Sequence, residues 1–501
     1  MDIQAGSSYI SISDLIRVAR AKTKVGLDPD VLRKVKRSRS IVEKAVSEKK
    51  VVYGITTGFG KLAETFIPAD KNQELQKNLL LSHAVGVGDP LPEEVVRGML
   101  FLRLHSLAKG FSGIRPVVLD YLIRFLNENC LPVVPSQGSV GSSGDLAPLA
   151  HLSLPLIGYG EVLLKGRRLP SAEALKLIGL EPLVLGAKEG LGLINGTQVM
   201  STLGSLAVYD IETFFAASLA AAAMTLEATL SSDAFLSKKI HQIRPHEGQL
   251  FVSEKMRQLV EGSSLILSHK NSLHRVQDAY SIRCIPQVHG AVWDALRYVK
   301  QVLEVEINSV TDNPLVFSDD ETVVSGGNFH GHPVALALDF LKIAVTSLSN
   351  ISERRIERLV NPALSGGLPA FLTKYSGLCS GMMILQYTAA SLVSENKGLS
   401  HPASVDSIPT SANQEDYNSM GTTAARQLVK IAANTLQVIG IELLCSAQGL
   451  EFRRPLKFGA GVEKAYSKIR DKIPALEQDR EMKSDLEKVV LLIRSGELST
   501  L

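Results

Sequence analysis

Apolar residues recur at three- and four-residue spacing through Leu203 to Leu230, Val292 to Ile307, Val334 to Leu359 and Ala424 to Leu444. That period is helical, and stretches of this length predict long helices packed as a bundle. Before about Met200 the pattern breaks into short periodic pieces separated by glycine and proline, which predicts a mixed, loop-rich region of short helices. After Leu444 it turns short and amphipathic and ends in a polar tail. The predicted fold is mainly α, with a long central helix bundle and a mixed N-terminal domain, in three consecutive parts: residues 1–200, 201–445 and 446–501.

The most apolar run, Phe214 to Leu226, covers about thirteen residues between Glu212 and Glu227, fewer than the roughly twenty a bilayer requires. It predicts a buried core helix and no membrane span. Met1 to Ser13 is polar and lacks the basic-then-apolar order of a signal peptide.

Composition narrows the class further. A chain of 501 residues, 45% hydrophobic and 21% charged, is that of a globular protein with room for more than one core region. The formal charge of +3 comes without a lysine or arginine run, so nucleic-acid binding has little support. The cysteines, Cys130, Cys284, Cys379 and Cys445, lie far apart with no metal-like pairing, which fits a reduced, cytoplasmic compartment.

Chemistry concentrates in residues 138–151, Gly-Ser-Val-Gly-Ser-Ser-Gly-Asp-Leu-Ala-Pro-Leu-Ala-His. One reading is a helix start, with a serine or Asp145 capping the helix that follows. The other is covalent. Glycine has no side chain to clash, so its backbone folds tightly enough for its nitrogen to reach a nearby carbonyl carbon. If the nitrogen of Gly144 attacks the carbonyl of Ser142 and two waters leave, one of them from Ser143, the product is a five-membered ring with an exocyclic methylidene, an electrophile made from the chain itself.

This stretch resembles the signature of the aromatic amino-acid ammonia-lyases, in which a self-cyclised Ala-Ser-Gly forms the prosthetic group methylidene-imidazolone (MIO). Ser142 stands here where that family usually has alanine. The resemblance runs over nearly the whole chain and implies an enzyme with no metal and no external cofactor. It also implies a homotetramer, each active site built by loops of several subunits.

Further motifs match in the family's order, and each residue also has a plainer reading. Tyr53 in Tyr-Gly-Ile-Thr-Thr-Gly-Phe-Gly would be a packing residue; the family places its catalytic base there, and a phenol with a pKa near 10 would need that value lowered. His83, at the end of an apolar helical run, would be structural. Its Ser-His pair resembles the histidine-specific branch, which makes it a candidate contact for an imidazole. Asn195 would belong to an Asn-Gly turn, and the family places a hydrogen-bonding asparagine at that position.

Tyr280 and Arg283 lie about one helical turn apart and can face one cavity. The resemblance makes Arg283 a bidentate carboxylate clamp, with Tyr280 and Gln277 beside the substrate. Phe329 of Gly-Asn-Phe-His would pack in the core, or, by resemblance, form a wall beside the prosthetic group. Glu415 of Asn-Gln-Glu-Asp would be a solvated acid at a helix start; the histidine branch carries it, and a carboxylate can pair with an imidazole N–H. His332 and Tyr417 depart from the family pattern and receive no role.

The expected reaction is elimination of ammonia from L-histidine to give urocanate. Other readings are a phenylalanine or tyrosine ammonia-lyase, an aromatic aminomutase, or a silent homologue that only binds histidine-like ligands because Ser142 prevents cyclisation.

Overall fold

A computed structural model describes residues 2–6, 9–270 and 276–498. Nineteen α-helices and nine short strands occur among them, so the mainly α expectation holds. The four long periodic stretches are helices Gln198–Ala228, Ile285–Glu306, His332–Val360 and Gly421–Glu451.

The chain forms two compact units, one made of Met1–Leu206, Lys300–Asp339 and Pro402–Arg426, the other of Ala207–Val299, Phe340–His401 and Gln427–Leu501. Each boundary falls inside one of the long helices or at the His401–Pro402 step, where periodicity along the sequence cannot mark it.

Non-local bonds assemble the first unit. Helix Ile12–Ala19 starts at a capping box, Ser11 and Asp14 satisfying each other's free amides, and buries Ile12, Leu15 and Ile16. It packs on Glu93–Ala108, a helix buried along most of its length. The amide of Asn308 accepts from the backbone N–H of Ile10 and donates to its carbonyl, both at 2.8 Å, which ties residues 300–339 to the N-terminal segment. Hairpin Leu315–Phe317 and Thr322–Val324 adds Val316 to a cluster with Ile41, Val42, Ile55 and Ala187. Strand Pro135–Gln137 pairs antiparallel with Val87–Pro90 and delivers the chain to the glycine turn.

In the second unit, Glu442 is a buried junction. It takes a two-pronged bond from Arg355 at 2.6 and 2.8 Å, and hydroxyl bonds from Thr225 at 2.8 Å and Ser352 at 2.6 Å. A buried carboxylate satisfied this fully is tolerable, whereas an unpaired one is not. Phe251 stacks on Trp293 at 4.6 Å between ring centres, and Phe215 lies on the same indole.

Helix Gln198–Ala228 continues through Glu212 and Glu227, so the two acids do not limit it to thirteen residues. It, His332–Val360 and Gly421–Glu451 are each long and apolar enough by length and composition to cross a membrane. Burial marks them as interior: 72%, 67% and 78% of their apolar windows are covered by protein.

Candidate active site

The glycine turn bends where only glycine is comfortable. Gly141 and Gly144 hold φ of +67° and +79°. A side chain on Gly144 would sit 2.1 Å from the carbonyl oxygen of Gly196, and one on Gly141 would sit 2.1 Å from the Ser419 hydroxyl. The turn is thus clasped by two other loops. Asp145 N–H donates to Gly196 O at 2.7 Å, Gly196 N–H to Ser143 O at 3.3 Å, and Met420 N–H to Val140 O at 3.0 Å.

Asp145 does not cap the helix Leu146–Ser153 that follows it. Its buried carboxylate caps the long helix Gln198–Ala228 instead, accepting from the N–H groups of Val199 at 2.9 Å and Met200 at 3.1 Å, and from the hydroxyls of Ser139 and Thr422. Burial pushes this carboxyl above its usual range, and the four donors oppose that shift.

Asn195 closes the joint from the other side. It is buried, with its Nδ2 donating to Asn313 O at 3.1 Å and to Asp312 at 3.4 Å, while Oδ1 has no partner. Its own carbonyl accepts from Arg103, whose burial lowers its pKa to about 10. Lys188 and Asp312 form a buried ion pair at 2.7 Å beneath the loop. Arg115 grips Glu189 through two bonds of 2.7 Å.

A cavity of about 960 Å³, whose lining among the described residues comes from the first unit, opens onto this joint. Tyr53, His83, Ser143, Asn195, Phe329 and Glu415 line it together. They come from segments up to several hundred residues apart.

Glu415 sits at the end of a sharply bent loop in which Ser411, Ala412 and Asn413 all have positive φ. Its carboxylate accepts from the hydroxyls of Ser142, of Ser143 at 3.0 Å and of Thr410 at 3.0 Å. On another wall, His83 Nδ1 lies 3.0 Å from the Ser82 hydroxyl, and that hydroxyl donates to Leu79 O at 3.2 Å. In the tautomer whose Nδ1–H donates to Ser82, Nε2 keeps its lone pair for a ligand. Burial holds His83 below the usual histidine range, so the ring is neutral at pH 7. Tyr53 differs from the requirement set by the sequence: burial raises its phenol, although Gly60 N–H donates to the hydroxyl at 3.3 Å.

Gln277, Tyr280 and Arg283 do not line this cavity; they lie in the second unit. Gln277 and Tyr280 are exposed, and the Arg283 guanidinium lies over the Tyr280 ring, 4.7 Å from its centre. His332 and Tyr417 pack with His330, whose ring is stacked on Tyr417.

Sequence reasoning missed Arg103, Lys188, Asp312 and Asn313, which hold the asparagine loop. A charged residue inside an apolar stretch is the one local signal such residues carry, and Lys188 and Arg103 both have it.

The family model of aromatic amino acid lyases matches residues 10–471. A histidine ammonia-lyase of Caldanaerobacter subterraneus subsp. tengcongensis is 54% identical over 98% of this chain and 96% of its own length. The crystal structure of histidine ammonia-lyase from Trypanosoma cruzi is 42% identical with a TM-score of 0.92, covering 100% of this chain and 94% of that one. Tyrosine aminomutase from Streptomyces globisporus is 37% identical with a TM-score of 0.93, covering 100% and 98%. The matching profile and the full-length relatives carry the same conclusion as the glycine turn: the chain belongs to the aromatic amino acid lyase family.

Proposed function

We propose that this chain is a carbon–nitrogen lyase that eliminates ammonia from L-histidine to give trans-urocanate. The observation that carries the reading is the cavity in which His83 and Glu415 stand with Tyr53 around Ser143 and Asn195. Full-length relatives named as histidine ammonia-lyases support it.

Residues 142–144 fit the precursor of an MIO group. Gly144 is held at positive φ against a carbonyl that no side chain could approach, and the neighbouring Asn195 Oδ1 is buried and unpartnered. Bonding of the Gly144 nitrogen to the Ser142 carbonyl carbon releases that carbonyl oxygen as water, with the amide hydrogens of Ser143 and Gly144. The Ser143 hydroxyl and its Cα hydrogen leave as the second water. The completed group supplies an electrophilic methylene that makes the substrate's amino group a better leaving group.

The side chains do the rest. His83 Nε2 accepts an imidazole N–H, and the Glu415 carboxylate offers a second acceptor to the same ring. Tyr53 removes the β-proton. Asn195 supports the amino group, and Phe329 walls the cavity and limits water.

Arg283, with Tyr280 and Gln277, binds the substrate carboxylate from a neighbouring copy in a homotetramer. The exposure of Gln277 and Tyr280, and the place of all three outside the cavity's lining, support that assignment. So do the exposed apolar residues Leu336, Phe340 and Ile343 along one helix, which a second copy would cover. Four unpaired cysteines agree with a cytoplasmic enzyme.

The structural likeness to a tyrosine aminomutase makes a β-amino acid product the reading to test against. Incubation with L-histidine, L-phenylalanine and L-tyrosine separately, followed by ultraviolet spectra and product analysis, decides between them. Urocanate from L-histidine is the expected result. Turnover of phenylalanine or tyrosine alone, or a β-amino acid product, overturns the proposal.

A further inference from the structure

Three hydroxyls hold the Glu415 carboxylate, and ring formation removes only one of them. Ser143 donates to Oε1 at 3.0 Å, whereas Ser142 and Thr410, the latter at 3.0 Å, both donate to Oε2. The backbone of Glu415 is pinned as well, in a reciprocal pair with Thr410 at 2.9 and 3.3 Å. Cyclisation expels the Ser143 hydroxyl as water. It uses only the carbonyl of Ser142, whose hydroxymethyl arm survives. Oε1 therefore loses its donor while Oε2 keeps both of its own.

We infer that Ser142 is a positioning residue for Glu415: with Thr410 it fixes Oε2, so that the vacated Oε1 is presented to an imidazole N–H of the substrate. The inference rests on the reading of residues 142–144 as ring precursor and of the cavity as an imidazole site. A glutamate side chain has several rotamers to lose, and a hydroxyl donating to a carboxylate is among the stronger neutral-to-charged bonds available to restrain it. Alanine, the usual residue at position 142 in the family, has nothing to donate. The serine is 7% exposed, so little water is at hand to take over its bond.

The test compares two acids that lack an amino group and cannot react, 3-(imidazol-4-yl)propanoate and 3-phenylpropanoate. Their binding is measured by calorimetry to the wild type, Ser142→Ala, Thr410→Val and Thr410→Ser, with the intact mass of each recorded for loss of two waters. In ring-bearing protein, Ser142→Ala and Thr410→Val are expected to weaken the imidazole acid about tenfold, the scale of one hydrogen bond to a charged group. The phenyl acid should be unaffected, and Thr410→Ser should bind as the wild type does. Wild-type affinity for the imidazole acid in Ser142→Ala overturns the inference alone, as does an equal loss for both acids. An unmodified wild-type mass, or a wild type that does not bind the imidazole acid, overturns it together with the reading beneath it.

Discussion

Lys188 and Asp312 face each other at 2.7 Å with both side chains fully excluded from solvent, directly beneath the loop that carries Asn195. A buried pair of this kind contributes little net stability when intact, but removing one charge leaves the other stranded. Asp312→Asn preserves the acceptor for Asn195 and abandons the ammonium of Lys188. It should cost about 3–5 kcal/mol in urea unfolding. Adding Lys188→Met should recover much of that loss. A double variant no more stable than Asp312→Asn would contradict this account.

Gly144 meets a harder steric limit. With φ at +79° and the Gly196 carbonyl 2.1 Å from any added Cβ, Gly144→Ala cannot keep the clasp between the two loops. The expected outcome is an intact mass without the two-water loss. A variant that still shows the loss would mean that cyclisation does not depend on this approach.

Tyr53 gives a pH-dependent prediction. A base must be deprotonated to act, and burial raises the phenol above its ordinary value. The rising limb of kcat/KM should therefore continue to pH 10 and beyond. Tyr53→Phe should abolish most of the activity and, with it, that limb. If a residual Tyr53→Phe activity climbs along the same limb, the base is another group.

Glu227, in the second unit, offers a stability test away from the site. It is buried, with Gly459 N–H donating to Oε1 at 2.9 Å, and burial raises its carboxyl to about 7. The folded state thus favours the protonated form. As pH rises from the unfolded value near 4.3 through about 7, the wild type loses stability, and above that the penalty is constant. Glu227→Gln lacks this slope, so its advantage over the wild type should grow with pH, by about 3–4 kcal/mol between pH 4 and pH 8. Chemical denaturation at pH 4, 6 and 8 checks it; a difference independent of pH would show that Glu227 is ionised in both states.

Much of the fold is legible along the chain because its signals are local. A three- and four-residue apolar period can be read within a few turns, and helices Gln198–Ala228, His332–Val360 and Gly421–Glu451 appear where Leu203, Val334 and Ala424 start their stretches. A turn crowded with glycines also declares itself, since the backbone has few other ways to bend so tightly. The residues now lining the cavity, Tyr53, His83, Asn195, Phe329 and Glu415, could be named from motifs alone.

Partnership was not legible. Asp145 reads as the cap of its own helix, yet it caps one that begins more than fifty residues later, because the turn delivers its carboxylate to the amides of Val199 and Met200. Glu415 reads as a solvated acid or an imidazole contact, yet it holds both serines of a tripeptide 272 and 273 residues earlier. Gln277, Tyr280 and Arg283 read as cavity residues, and the chain folds them into its other unit. Which segments are helices, where the backbone must turn and which side chains carry chemistry are written in short stretches of residues, since propensity and steric freedom act over a few positions. Which carboxylate meets which donor, and which distant segments share a unit, was decided only by tertiary structure: those choices depend on burying apolar faces and satisfying every enclosed polar group at once, which no local stretch can express.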